Sequence, residues 1–308
     1  MNSDASPNFF TPDGKETSWL RLSRNRLLTA LCISLSVLAL VPLLSIVIMV
    51  VRNGLPLIGP ALFTQLPPPP GLREGGFANA IIGTVIMVGI ALILAIPLGI
   101  LAAIYVNEYA PTSRLSAAVR FVAKLLTGIP SIICGVFAFA LVVMPDGFIG
   151  RCFHFFGLPY TGGFSAFAGG VALSILILPT ILLTAEQALL GVPSAYREAS
   201  FGLGATPFQT IFRIVLPDAL PAIMTGVMLA VARAAGETAP VLFTALFSAN
   251  WIRSVMEPTA SLSVLIYNFS ALPFDYQVRM AWSASLVLVI LVTVTNVLAQ
   301  LLFASKRL

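Results

Sequence analysis

Six stretches of this chain are apolar for longer than the ~20 residues that a helix needs to cross the hydrocarbon core of a bilayer. They are Leu27–Val51, Ala78–Val106, Phe121–Met144, Ala166–Leu190, Ala219–Phe247 and Ala281–Phe303. Inside lipid every backbone N–H and C=O needs a partner from the chain itself, so runs of this length and number fold as helices. Only 9% of the residues are charged. A soluble domain carries about a quarter. So few charges cannot coat a water-facing surface of this size, and the expected fold class is an all-α polytopic membrane protein with six transmembrane helices. Pro97, Pro130, Pro179 and Pro240 fall inside the runs, where neighbouring helices can satisfy the carbonyls that a proline frees, so kinked spans are expected.

The same pattern divides the chain into a polar N-terminal tail over residues 1–26, a first transmembrane helix over 27–51 and a core domain from residue 66 to 308 with five further spans. The first run comes late and is long, so it reads as an uncleaved span and not as a signal peptide. Lysine and arginine orient the whole. With the N-terminus inside, the inner segments hold Lys15, Arg21, Arg24, Arg26, Arg114, Arg120, Lys124, Arg197, Arg213, Lys306 and Arg307. The outer segments hold only Arg52, Arg73, Arg151, Arg253 and Arg279. That bias predicts both termini on the cytoplasmic side.

Several function classes drop out. The net charge is +5, but the basic residues sit at span ends and not in a patch interleaved with aromatics, so nucleic-acid binding is not expected. Cys32, Cys134 and Cys152 lack metal-ligand spacing and read as small hydrophobes, and His154 reads as an exposed loop residue. No metal and no cofactor is expected. No Gly-rich loop ends in Lys-Ser or Lys-Thr, so this chain is not expected to hydrolyse nucleotide itself. On the outer side, four consecutive prolines, Pro67 to Pro70, make a stiff spacer. The last outer loop carries "LSVLIYNF", Leu262 to Phe269, which is too short to cross and fits either a helix at the membrane surface or a docking patch.

The longest inner loop reads "SAYREASFGLGATPFQTIFRIVLPDAL", Ser194 to Leu220. Two short helices are expected there. Ser194 is a candidate cap for the first, and Gly202 and Gly204 end it. Thr206, Pro207 and Gln209 form a capping-box start for the second, and Pro217 marks where the fifth span begins. Phe208, Ile211, Phe212 and Val215 fall on one face of that second helix. Such a face suits a protein partner or the membrane surface equally well.

Two charges lie inside the fifth run. Arg233 is at its middle, and Glu237 follows four residues later, on the same face of an unbroken helix. An arginine near the bilayer centre costs about 2.5–3.5 kcal/mol on insertion scales, so the pair needs a use. Three uses are compatible with the residues: an ion pair that fixes helix packing, a proton relay through Glu237, or an anion site in which the planar Arg233 fork binds an oxyanion.

The inner loop also carries a family pattern. Glu198, Ala199 and Ser200, then Gly204, then Ile214, Leu216 and Pro217 stand at the spacing of the Glu-Ala-Ala coupling loop of bacterial ABC importer permeases, with Ser200 in place of the third alanine. "GGFANAIIGT", "IPLGILAAIYVNEYAP", "GIPSIICG" and "ARAAGETAPVLFTA" resemble the PstA-type permease subunits of phosphate importers, from about Leu66 onward. The resemblance implies a type I ABC importer permease fold in the cytoplasmic (inner) membrane. It implies that the loop over 194–217 couples to cytoplasmic ATPase subunits. It implies a homologous second permease subunit of the PstC type as partner and a periplasmic phosphate-binding protein that delivers substrate. It also implies that Arg233 and Glu237 lie on the phosphate path, with Thr238 as a neighbouring hydroxyl. The implied function is therefore a transporter subunit, not an enzyme. Another oxyanion (molybdate, sulfate or phosphonate) satisfies the same donors. A proton-coupled carrier working through Glu237 is the alternative from a different class, and a membrane scaffold without transport is a third.

Overall fold

The structure is a computed structural model that describes residues 19–157 and 162–304. Most of the tail expected over residues 1–26, together with Lys306 and Arg307, lies outside the described residues. The chain divides into two compact units, Met1–Arg52 and Asn53–Leu308. Among the described residues all regular structure is helical. Six helical stretches are long and apolar enough to cross a membrane: Arg24–Leu57, Ala78–Tyr109, Ser131–Phe155, Ala166–Leu190, Pro207–Gly236 and Asp275–Leu301. The six-span fold class is thus what the chain adopts.

The described residues of the first unit belong to α1 (Trp19–Gly54), which runs through Pro42 without a break and ends just past the unit's boundary. In the second unit a short α2 (Pro60–Thr64) precedes α3 (Ala78–Ile104), which ends in a π-helical turn, Tyr105–Tyr109. The unit is built around α7 (Ala166–Leu190). Of the apolar stretch of α7, 67% is buried, against 39% for the next most buried span. Both α3 and α10 (Leu216–Gly236) pack on it. Ala91 and Ala95 of α3, Ile177, Ile181 and Ala185 of α7, and Ile223, Val227 and Ala230 of α10 form the main core.

Lipid is as apolar as leucine, so helices in a membrane hold together by close contact and not by excluding water, and small residues at the contacts permit it. A Cβ built on Gly99 of α3 would stand 2.8 Å from the Ile181 side chain, and one on Gly226 of α10 would overlap Thr184 of α7. Gly226→Leu is therefore expected to force α10 off α7, at about 1–3 kcal/mol or more for overpacking. The check is a lower midpoint for thermal unfolding in detergent.

Two of the apolar runs are not single helices. The third, expected over Phe121–Met144, divides into α4 (Arg114–Gly128) and α5 (Ser131–Ala138), which continues as a π-helical turn, Phe139–Val143. Ile129 between them is extended, with φ −75° and ψ 132°. Pro130 follows it, and a proline disfavours helical backbone in the residue before it. The stretch long and apolar enough to cross starts only at Ser131, because the break leaves α4 as a separate helix of 15 residues, too short to span. The expected loop around His154 is helical too: α6 (Phe148–Phe155) holds Cys152 and an exposed His154.

The fifth run, expected as one helix over Ala219–Phe247, breaks as well. α10 stops at Gly236, Glu237 is extended with φ −74° and ψ 127°, and a separate α11 (Ala239–Thr244) follows. Pro240 cannot donate to the carbonyl of Gly236, four residues before it, and Gly236 gives the helix little reason to continue. Arg233 consequently lies in the last turn of a helix and not at its middle.

The outer segment "LSVLIYNF" forms α12 (Leu262–Ser270). It neither lies free on a surface nor offers its apolar face to a partner. Leu262, Leu265 and Phe269 are buried against Phe77 and against Met280 and Ala284 of α13 (Asp275–Ala304), in a second core cluster, and Val264 belongs to the main core.

Candidate functional site

The loop expected to couple begins with α8 (Ser194–Gly202). Pro193, and not Ser194, occupies its cap position, and no side chain caps it. Gly204 then takes φ +83°, a left-handed conformation open to glycine at no steric cost. Thr206 restarts the chain as expected. Its hydroxyl accepts from the Gln209 amide at 3.3 Å, and its own amide donates to the Gln209 side chain at 2.9 Å, a complete capping box at the head of α9 (Pro207–Thr210).

The expected second helix is not separate. α9 runs through a π-helical turn, Ile211–Val215, straight into α10. Ile214 lies in this turn, and Leu216 and Pro217 open α10. Pro217 lacks the N–H that an α-ladder would aim at the residue four back, and the ladder widens to π just before it. The apolar face divides accordingly. Ile211 and Val215 are buried in the core. Phe208 and Phe212 are exposed, with ring centroids 4.5 Å apart. Glu198 and Ala199 are exposed on α8, and Leu203 at the tip is 90% exposed. Ser200, the departure from alanine, is buried, and its hydroxyl meets that of Thr210 at 2.8 Å. The two arms of the loop are joined by that bond.

Two arginines anchor this end of the bundle. Arg197 of α8 donates to both carboxylate oxygens of Glu108, at 3.1 and 2.6 Å, and to the carbonyls of Val192 (2.8 Å) and Leu189 (2.9 Å). Glu108 lies in the π-helical turn that ends α3. Arg120 of α4 donates to Glu186 of α7 at 2.6 Å and to the carbonyls of Pro111 and Val106 at 3.0 Å each. Both acids are nearly inaccessible, and both arginines are matched by a carboxylate and two carbonyls. These four residues form ion pairs that the sequence reading did not assign. Glu186 was detectable, as a lone acid within the apolar run Ala166–Leu190, near its inner end.

Arg233 is different. Its Nε stands 3.6 Å from Glu237 Oε1, an ion pair without a hydrogen bond, and its side chain is 37% exposed. The expected pairing holds, but the break brings Glu237 to it and not the pitch of one continuous helix. Among the described residues Arg233 makes no hydrogen bond, so the donors of its fork are open. The cation sits at a helix C-terminus, where the backbone dipole favours it. Thr238 follows Glu237 in the break itself and is partly buried. Ser263 of α12 donates to the Glu237 carbonyl at 2.9 Å, replacing the amide partner lost with the helix. Sequence reading gave no sign of this bond, which spans 26 residues. α5 adjoins the break: a Cβ on Gly135 would lie 2.8 Å from Pro240 Cα. Two interrupted helices therefore meet beside Arg233 and Glu237. Interrupted helices at ion and substrate sites are a recurrent device of membrane transporters, because helix ends and freed backbone groups bind charge.

The pattern of the family described as "Binding-protein-dependent transport system inner membrane component" matches residues 95–307. The chain belongs to this family. It is 36% identical over 293 residues to the phosphate transport system permease protein PstA of Yersinia pestis, covering 95% of this chain and 94% of that one. It is 37% identical over 257 residues to the protein of the same name from Xylella fastidiosa strain 9a5c, covering 83% and 84%. Among solved structures it resembles a bacterial alginate ABC transporter in complex with an alginate pentasaccharide-bound periplasmic protein, with a TM-score of 0.64, 19% identity and coverage of 92% of this chain and 96% of that one. It also resembles the MetNI methionine ABC transporter in an inward-facing conformation, with a TM-score of 0.52, 20% identity and coverage of 74% and 92%. At these identities the two structures speak for the fold, which is that of ABC importer permeases.

Proposed function

We propose that this chain is a permease subunit of an ATP-driven importer that moves inorganic phosphate across the inner membrane, with both termini in the cytoplasm. The observation that carries the anion assignment is the state of Arg233. Arg120 and Arg197 have their donors occupied by protein, and Arg233 has them open beside a helix break. A guanidinium with open donors suits a tetrahedral oxyanion, which it can bind through two parallel hydrogen bonds. Glu237 supplies competing negative charge, so the anion is bound loosely enough to leave. Thr238 adds a hydroxyl at the break. The relatives named for phosphate transport favour phosphate over other oxyanions.

The loop over 194–217 receives a separate ATPase. Glu198, Ala199 and Leu203 with Phe208 and Phe212 present an exposed, largely apolar face, and Ser200, Gly204, Ile214, Leu216 and Pro217 shape the turn that offers it. The remaining partners are a homologous second permease subunit, with which this chain encloses the pathway, and a periplasmic phosphate-binding protein. Residues 1–26 form a cytoplasmic tail, 27–51 an added first span and 66–308 the permease core.

Vesicles containing the assembled complex test the energy source. Phosphate uptake is expected with ATP and without any proton gradient. Uptake driven by a proton gradient in the absence of ATP would instead assign the chain to the proton-coupled carriers.

A further inference from the structure

Arg197 directly precedes Glu198, yet it turns away from the exposed face and into the base of the bundle. We propose that the Arg197–Glu108 pair is the joint that carries movement of the 194–217 loop into α3 and α7. This rests on the reading of that loop as the ATPase dock.

One guanidinium ties three elements together. It belongs to α8, it holds Glu108 in the turn that ends α3, and it takes the carbonyls of Leu189 and Val192 at the end of α7. The Asn107 side chain donates to the same carboxylate at 2.7 Å, which fixes the acid in turn. A bidentate pair resists rotation as well as separation, so α8 cannot tilt without drawing on the ends of both spans. The loop's other arm runs through the π-helical turn Ile211–Val215 into α10, with Ile211 and Val215 in the main core. α8 already follows α7 in the chain; the Arg197 joint stiffens that connection and adds a side-chain link to the end of α3. A π-helical turn holds one extra residue and marks a place where a helix can shift register, and Glu108 sits in such a turn.

The molecule contains its own control. Arg120 and Glu186 have the same chemistry, with one carboxylate and two carbonyls on one guanidinium, and they join α4, α7 and the same turn. Among the described residues no hydrogen bond or ion pair joins them to the loop. A purely structural role would make the two pairs equivalent.

The test compares Glu108→Gln and Glu186→Gln in the full complex in vesicles, reading assembled complex, ATP hydrolysis, and phosphate taken up per ATP. With Glu108→Gln the ATPase stays attached and active, and uptake per ATP falls by about five- to a hundredfold, the range of typical coupling between sites. With Glu186→Gln less complex is recovered, but what assembles keeps the parent ratio. A parent ratio in Glu108→Gln, or equal losses of that ratio in both variants, overturns the proposal. Should Glu108→Gln fail to assemble, Glu108→Cys with Arg197→Cys, in a chain lacking the three native cysteines, is bridged after assembly with a short bis-thiol reagent. Bridging is expected to raise uptake per ATP; no rise overturns the joint. Failure of the docking reading looks different, since the ATPase would then bind a Phe208→Asp chain as tightly as the parent.

Discussion

Replacing Arg233 by glutamine is expected to abolish phosphate uptake while the complex still assembles. Among the described residues Arg233 makes no hydrogen bond and a single ion contact at 3.6 Å, so little of the fold depends on it. Removing a charge that pairs with a desolvated ligand costs about 2–5 kcal/mol, roughly thirty- to several-thousand-fold in rate or affinity. Arg233→Lys keeps the charge but not the planar fork and is expected to fall between the parent and the glutamine variant. The measurement is labelled-phosphate uptake, normalised to complex recovered by affinity purification. Uptake at parent level in Arg233→Gln would remove Arg233 from the path. Loss of uptake together with loss of the complex would return it to the role of a packing residue.

Glu198→Lys is expected to separate ATP hydrolysis from transport. Glu198 is exposed on α8 beside Ala199, and among the described residues it makes no bond within the protein, so its reversal leaves the loop's own hydrogen bonds intact. Thr206 still caps its helix, and Ser200 still meets Thr210. Reversed charge at a docking face costs several kcal/mol when it meets its own sign. The expected result is ATP hydrolysis that the loaded binding protein no longer stimulates, with uptake reduced to background. Stimulation and uptake that both persist would show that the ATPase does not dock at Glu198.

The six spans were legible because length and hydropathy act locally: a run of apolar residues long enough to cross lipid has one low-energy conformation there. The capping box at Thr206 and the left-handed Gly204 were legible for the same reason. The breaks at Ile129 and Glu237 were not. A proline inside an apolar run is compatible with a kink or a full stop, and the choice depends on which neighbour takes the orphaned carbonyl. The break in the fifth run also leaves the Glu237 carbonyl without its helical amide, and the group that takes it, Ser263, is on another element altogether. Ser194 was misplaced as a cap because Pro193 already sets the turn. The apolar face of Phe208, Ile211, Phe212 and Val215 was correct as a period and wrong as a single surface, since half of it is core. Arg233 stood out by its type, but its open donors became visible only beside Arg120 and Arg197, whose carbonyl partners no spacing rule provides.

The end of α10 at Gly236 has an electrical consequence. Seventeen residues separate Leu216 from Arg233, about 26 Å along the axis at 1.5 Å per residue. That is most of the ~30 Å depth of the hydrocarbon core. With the Leu216 end in the cytoplasm, as proposed, an anion at Arg233 has crossed little of the membrane field. Nearly all of the voltage drop still lies ahead of it. The interior of a cell is negative, and each unit of anionic charge moving inward meets about 2.3 kcal/mol per 100 mV. If the anion pauses at Arg233 as proposed, the work that ATP must do on it is concentrated in the step that follows.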